Sequence, residues 1–481
     1  MAWQRQPRFI SQFVRRLLRL PVARAHATGT NMSGSALPLT RKAVFAQAWP
    51  IILGQASVPL VGIVDAVVIG RTGDAAALAG VALGATIINL VFWSFGFLRM
   101  GLTGLTAQAD GSGRRREVEA LLLRGLAIGG AIGLCLLLLQ VPLGTLAFAL
   151  LAGSEEVSRE ASTYVSWRFF GAPAALAVFA INGWLLGLGR TRAALILQVV
   201  MNAANIALDL VFVWGLGMGA GGVGLGTAGA EWLALASGLL IASRIAGHGP
   251  LAIARRIGPA ELFERAALAR LFAVNRDLMI RTVALLALFT WFANAGARLG
   301  TETLAANHVL LQFVNVAAFV LDAFAFTAEA RVGHAVGTGS RKQFLRAIRL
   351  TGEFSLASAA MLSLAILLFG EPAVALIATD PQVRQTAGQF LVFAALVPLL
   401  GMPSWLLDGI FIGATQGRAL RNAAVAVTLL YLALDLALRP FGNYGVWFAL
   451  SASYLLRAVA LGVHFPALLR TLGENSASAP R

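Results

Sequence analysis

The chain has 481 residues, of which 58% are apolar and only 12% charged. A soluble protein of this length would divide into about three domains and carry roughly twice that share of charge, so the composition excludes a soluble globular protein and points to a lipid bilayer. The formal charge of +16 would suggest nucleic acid in a soluble chain; here no nucleic-acid partner is expected, because the arginines gather in alternate loops between apolar runs.

Residues 1–42 contain no acid but carry Arg5, Arg8, Arg15, Arg16, Arg19 and Arg24 beside Phe9, Phe13, Leu17 and Leu18. This basic N-terminal extension reads as poorly ordered. Three origins fit it: an organelle transit peptide, an amphipathic segment held against anionic lipid, or a gene start placed ahead of a true Met32. Apolar stretches of membrane-crossing length then follow one another. They lie near 45–69, 78–102, 119–141, 163–188, 193–215, 223–245, 268–296, 303–328, 344–369, 387–411, 421–438 and 445–469.

One set of loops between these spans holds Arg114, Arg115 and Arg116; Arg190 and Arg192; Arg255, Arg256 and Arg265; Arg331, Arg341 and Lys342; and Arg418 and Arg421. The intervening loops hold only Arg71, Arg159, Arg298, Arg384 and Arg439, and one of them is acidic through Glu155, Glu156 and Glu160. Basic loops mark the cytoplasmic side, so both termini are expected there. The expected location is a bacterial inner membrane, with an organelle membrane as the alternative.

The chain also resembles itself at an offset near 226 residues. Arg71-Thr-Gly-Asp reads like Arg298-Leu-Gly-Thr, Gly183 and Gly187 fall on Gly409 and Gly413, and Leu208-Asp209-Leu210 falls on Leu434-Asp435-Leu436. Six spans per half is an even number, so the halves share an orientation and are related by an axis along the membrane normal. The expected fold is an all-α integral membrane protein of about 12 transmembrane helices in two pseudo-symmetric six-helix bundles. The N-terminal lobe takes 43–246 and the C-terminal lobe 267–470. A cytoplasmic linker at 247–266, rich in Gly and Pro, joins them, and 471–481 is a tail.

Cys135 is the only cysteine and falls mid-span, which excludes an intrachain disulfide and suggests a packing role. His26, His248, His308, His334 and His464 show no metal-ligand spacing, and neither Lys42 nor Lys342 completes a phosphate-binding loop. No cofactor, no ATP and no enzyme chemistry are expected; a transport step would draw on an ion gradient.

Ionisable residues inside a span are costly and point to function. Asp65 lies in the first span. Asn202, Asn205 and Asp209 in the fifth are spaced i, i+3 and i+7, on one helical stripe, and Thr227 follows in the sixth, after a Gly-rich turn at 215–226. If these spans pack together, Asp65, Asn205, Asp209 and Thr227 offer hard oxygen ligands to a sodium-sized cation. The same carboxyls suit the loading and release of a proton. Against both stands a structural role, each Asp accepting bonds at a helix end or pairing with an arginine. Asp435 answers Asp209 in the other half, whereas Trp291 answers Asp65, so coupling is expected in the first lobe.

A polar network of Asn202, Arg281, Asp322, Glu329, Asp408 and Asp435 is a further candidate, with structural pairing and transport as equal readings. Arg99 is expected to extend to the cytoplasmic surface. Trp167, Phe169, Phe170, Phe289, Trp291, Phe292, Phe324 and Phe326 offer stacking surface for a flat organic cation, although packing accounts for most of them. Pro50 and Pro59 interrupt the first span and are read as a gating kink, against a static bend.

The turn Gln108-Ala-Asp-Gly-Ser-Gly-Arg-Arg-Arg-Glu and its partner Glu329-Ala-Arg-Val-Gly-His-Ala-Val-Gly-Thr-Gly, set in paired six-helix halves, resemble the MATE family, multidrug and toxic compound extrusion, over about residues 38–470. The segments Asn275-Arg-Asp-Leu-Met-Ile-Arg281, Leu321-Asp-Ala-Phe-Ala-Phe-Thr-Ala-Glu329 and Leu407-Asp-Gly-Ile-Phe-Ile-Gly413 look like its DinF-like subgroup. The resemblance implies a V-shaped pair of bundles and antiport of organic, often cationic, compounds against protons or sodium. It also implies a cation site at Asp65, Asn205, Asp209 and Thr227. The family's other branch uses an acid of the seventh helix, a role not carried over to Asp277, which lies near the start of that span. The small-molecule substrate, the bilayer and a monomeric state are the expected partners. A flippase of lipid-linked precursors is the alternative within the superfamily, and a channel or scaffold the alternative outside it.

Overall fold

Thr40 opens the first helix by accepting a bond from the Ala43 amide at 3.2 Å, and α1 (Arg41–Gly70) then runs unbroken through both Pro50 and Pro59. The computed structural model describes residues 38–150 and 154–477; the arginine-rich segment before residue 38 lies outside them, as do residues 478–481. Each proline leaves one carbonyl without its helical partner. Around the second, the Ser57 hydroxyl donates to the Gly54 carbonyl at 2.7 Å, and Asn202 donates to the Ser57 carbonyl at 3.3 Å. Both bonds flank the Gln55 carbonyl, the one that Pro59 leaves without a helical partner, and brace the helix on either side of it.

The second crossing is α2 (Ala75–Trp93) and α3 (Phe97–Gly111), joined by a short turn. It is followed by α4 (Arg115–Leu138) and the short α5 (Gln140–Leu150). The fourth span, expected as one helix, is two: α6 (Glu155–Phe170) and α7 (Ala172–Gly187), bent by 53°. Gly171 sits at the bend against Ala228 and the Glu231 carboxylate, where a side chain would not fit, and Pro173 denies the next turn an amide. α8 (Thr191–Asp209) ends in a π-helical turn (Leu210–Gly215), and α9 (Gly219–Ala246) follows. The glycines expected as a turn are instead largely the first two turns of α9. Without Cβ atoms, Gly222 and Gly224 let that helix close on the backbone at Phe212 and Tyr164.

The linker is also more ordered than its composition suggested. It forms α10 (Pro250–Leu262), kinked at Gly258, which has φ 77°. Ile253 and Ile257 bury against Ala120; Arg256 pairs with Glu119 at 2.9 Å, and Arg124 donates to the carbonyls of Glu261 and Leu262. The second half comprises α11 (Arg265–Arg298), α12 (Thr301–Gly337), α13 (Arg341–Ile377), α14 (Pro381–Gly413), α15 (Gly417–Leu438) and α16 (Gly442–Ala477).

Ten described stretches are long and apolar enough to cross a bilayer, and the bent pair α6–α7 is an eleventh. One of the ten, Gly417–Arg470, has 54 residues, about 80 Å of helix against a hydrocarbon core of roughly 30 Å. It is therefore two crossings. The 3-10 turn Arg439–Phe441 and Gly442, with φ 56°, part them, which gives twelve among the described residues.

The two halves meet through glycine. Gly104 of α3 abuts the Ile412 carbonyl, Gly111 the His334 carbonyl, and Gly337 of α12 the Gln108 carbonyl. Gln108 bridges this seam: its amide donates to the Gly413 carbonyl at 2.9 Å and accepts from Arg270 at 2.8 Å. The two turn motifs Gln108–Glu117 and Glu329–Gly339 thus face each other. Hydrogen bonds and ion pairs between the halves, among the described residues, lie toward the end that bears the arginine-rich loops.

Candidate cation site

Asp65, Asn205 and Asp209 are buried, with 6%, 1% and 0% of their surface exposed, and Thr227 is half-buried beside them. The packing of α1, α8 and α9 brings the four together. The Asn205 amide donates to Asp209 Oδ2 at 3.1 Å and to Thr227 Oγ1 at 3.0 Å. Thr227 in turn donates to the Val223 carbonyl one turn back, at 3.0 Å. The carboxyls of Asp65 and Asp209 lie within hydrogen-bonding reach of each other.

Asp65 Oδ1, Asn205 Oδ1 and Asp209 Oδ1 are buried and have no hydrogen-bond partner. Unpartnered buried oxygens are rare. Two neighbouring buried carboxyls call for a positive charge between or beside them, since two buried anions repel. The nearby Arg168 is bound to Glu231 at 2.9 Å, and that pair is itself buried. The donor set, two carboxyls with an amide and a hydroxyl oxygen, therefore fits a small hard cation or a proton.

The surroundings hold this set in place. The Trp214 indole, in the π-helical turn, donates to the Val68 carbonyl at 3.0 Å and ties the end of α8 to the end of α1. Asn202, expected in the polar network, bonds instead to Gln198 and to the Ser57 backbone, and so serves the α1–α8 contact. A Cβ on Gly226 would strike Asp209 Oδ1. We therefore expect Gly226→Ala to displace that carboxyl, with ion-driven transport falling by tenfold or more, about 1.4 kcal/mol, while the protein still assembles; transport assays normalised to membrane content check this.

The remaining candidates separate into two groups. Arg281 donates to Asp408 at 2.5 Å, and Arg457 lies 3.6 Å from the same oxygen and donates to Ser404 at 3.0 Å. Arg99 pairs with Glu329 at 3.4 Å and stacks 3.8 Å over the Phe326 ring, and Asp322 lies within electrostatic reach of Arg99, Arg281 and Arg457. Arg99 thus turns inward toward the other half instead of reaching the surface, because Glu329 offers it an ion pair where lipid would offer none. Arg457 and Arg168 had not been singled out from the sequence, although an arginine within an apolar run was the available signal. Asp435 stands apart: it accepts from Trp291 at 2.8 Å and Arg298 at 2.9 Å, and Arg298 lies about 25 Å along α11 from Arg281. Asp277 is buried and held by Arg276 and Arg421.

The aromatic residues do not assemble into one wall. Trp167, Phe170 and Phe289 are exposed, Phe292 packs edge-on against Trp447 at 5.3 Å, and Phe324 stacks on Phe354 at 5.9 Å. Cys135, expected to pack, is exposed.

The model of the MatE family matches residues 50–211 and 279–437, most of both halves. The chain belongs to the MatE family. DNA damage-inducible protein F of Escherichia coli strain K12 is 37% identical over 424 residues, which cover 87% of this chain and 91% of that protein. The multidrug resistance protein MdtK of Edwardsiella ictaluri is 23% identical, with 79% and 83% covered. Among solved structures, an outward-facing multidrug resistance MATE family transporter superposes with a TM-score of 0.81 at 17% identity, over 93% of this chain and 99% of that one. A MATE protein in a bent conformation also gives 0.81 at 17% identity, over 91% and 97%. This MatE protein is accordingly a multi-pass membrane transporter with an all-α fold of two six-helix bundles.

Proposed function

We propose that the protein exports small organic compounds, cationic or amphiphilic, in exchange for protons or sodium ions by alternating access. The observation that carries this reading is the set of three unpartnered buried oxygens on Asp65, Asn205 and Asp209. Bound there, a sodium ion would supply the positive charge that the two carboxyls need; a proton would supply it as a hydrogen bond between them. Asp65 and Asp209 hold the ion, Asn205 orients Asp209, and Thr227 adds a hydroxyl oxygen.

Alternating access is supported by the seam at the arginine-rich end. With those loops on the cytoplasmic side, the halves are joined there, as one gate of an alternating-access cycle would be. Proline-bearing α1 carries Asp65 and packs through Ile51 against Ala323 and Phe326 of the other half, so in this reading loading the site is coupled to bending of that helix. The lobes are 43–246 and 267–470, the protein acts as a monomer, and it resides in a bacterial inner membrane. The relatives named above, two of them multidrug resistance proteins, lend the organic substrate class.

Uptake of a fluorescent organic cation into inverted membrane vesicles, under an imposed proton or sodium gradient, tests the reading. Uptake driven by one of the gradients identifies the ion. Dye movement under neither, together with translocation of a lipid-linked precursor, would replace antiport with the flippase alternative.

A further inference from the structure

The C-terminal half contains a counterpart of the cation site whose chemistry has been rewritten. The offset of 226 residues sets Trp291 against Asp65, Tyr431 against Asn205 and Asp435 against Asp209. In the last helix the register is fixed by two matching glycines: Gly222 backs onto Phe212 and Gly445 onto Leu438 in the same way, which sets Leu450 against Thr227. Of four ligands only the aspartate remains. Tyr431 and Leu450 are fully buried, and the Tyr431 hydroxyl has no partner.

Asp435 is 2% exposed, yet both the Trp291 indole and the Arg298 guanidinium bond to its Oδ2. In the N-terminal half the corresponding arginine, Arg71, is exposed and stays out of the site. A single residue accounts for the difference. Arg298 is seven residues beyond Trp291, about 700° of helix and so within about 20° of the same face, whereas Arg71 is six beyond Asp65, about 120° away. α11 includes Arg298 as its last residue, whereas α1 ends at Gly70 and leaves Arg71 as its cap.

We propose that Arg298 is a tethered substitute for the coupling ion, sealing the C-terminal counterpart of the site so that each chain carries one ion-exchanging site, in its N-terminal half. This rests on the reading of Asp65 and Asp209 as that site. The guanidinium neutralises Asp435 permanently, and the indole fills the place of the second carboxyl. Asn294, which accepts from Arg298 at 3.2 Å, steadies it. α16 brings no charged side chain to this region before Arg457, and Arg439, four residues beyond Asp435, is exposed; among the described residues the ion pair of Asp435 is with Arg298. Without it, a buried carboxylate has to take up a proton or another cation.

The test is the infrared absorption of protonated carboxylic acids in the purified full-length protein, in lipid nanodiscs and sodium-free buffer at neutral pH. Arg298→Met is expected to add the signal of one protonated carboxyl, Arg298→Met combined with Asp435→Asn to remove it again, and Arg298→Lys to leave the wild-type signal. Asp435→Asn alone is expected to leave the wild-type signal, and it serves as the readout where Arg298→Met does not fold. An unchanged signal in folded Arg298→Met, or a loss of signal in Asp435→Asn, would overturn the proposal. The N-terminal site is read separately: an unchanged signal and unchanged sodium binding in Asp65→Asn/Asp209→Asn count against that site and not against the role of Arg298.

Discussion

Asp209→Asn is expected to lower gradient-driven transport by roughly 10- to 150-fold, the range set by losing a hydrogen bond or contact to a charged group worth about 1.5–3 kcal/mol. The amide has nearly the shape of the carboxyl, and Asp209 lies in a fully buried place between α8 and α9, so the helix packing is retained and thermal unfolding in detergent should change little. Asp65→Asn should act in the same way. The two carboxyls interact, and in the proposed site they serve one ion, so the double variant should be no worse than either single one, which is the behaviour of residues acting as a unit. Additive losses in vesicle uptake would instead mean that the two aspartates do independent work.

Asp408 is expected to matter for stability more than any other single charge in the second half. It is 5% exposed and faces two arginines, with Arg281 at 2.5 Å and Arg457 at 3.6 Å. Removing one partner of a buried pair costs about 3–5 kcal/mol because the remaining charge is left uncompensated. Asp408→Ala strands two guanidinium groups and should lie at the upper end of that range. Arg281→Met leaves Asp408 with Arg457 and should lie at the lower end. Thermal unfolding of the three proteins in one detergent ranks them, and an Asp408→Ala protein more stable than Arg281→Met would show that Asp322 and Glu329 already balance both arginines.

Periodicity made the crossings legible because each is a local property: a run of apolar residues of sufficient length has to be helical in a bilayer, whatever its neighbours are. The bend at Gly171 and the helical glycines of α9 were not legible, since both depend on what packs against them. Gly171 makes room for Glu231 and Ala228, and Gly222 and Gly224 for the backbone of neighbouring segments. Arg99 shows the same limit. Its sequence position near the end of a span suited extension to the surface, and only the approach of α12 from the other half supplied Glu329 and Phe326.

By itself, the sequence determined the membrane class and the number of crossings, and it picked out Asp65, Asn205, Asp209 and Thr227, which the structure brings together, because apolar length, i, i+3, i+7 spacing and the cost of a charge in lipid are read along one helix at a time. Tertiary structure alone decided which of the buried charges stand together. It placed Asp408 with two arginines, left Asn202 to the α1–α8 contact, and turned Arg298 but not Arg71 onto an aspartate. The physical reason is that partnership depends on the rotation and approach of whole helices, where one residue of added length turns a side chain by about 100°.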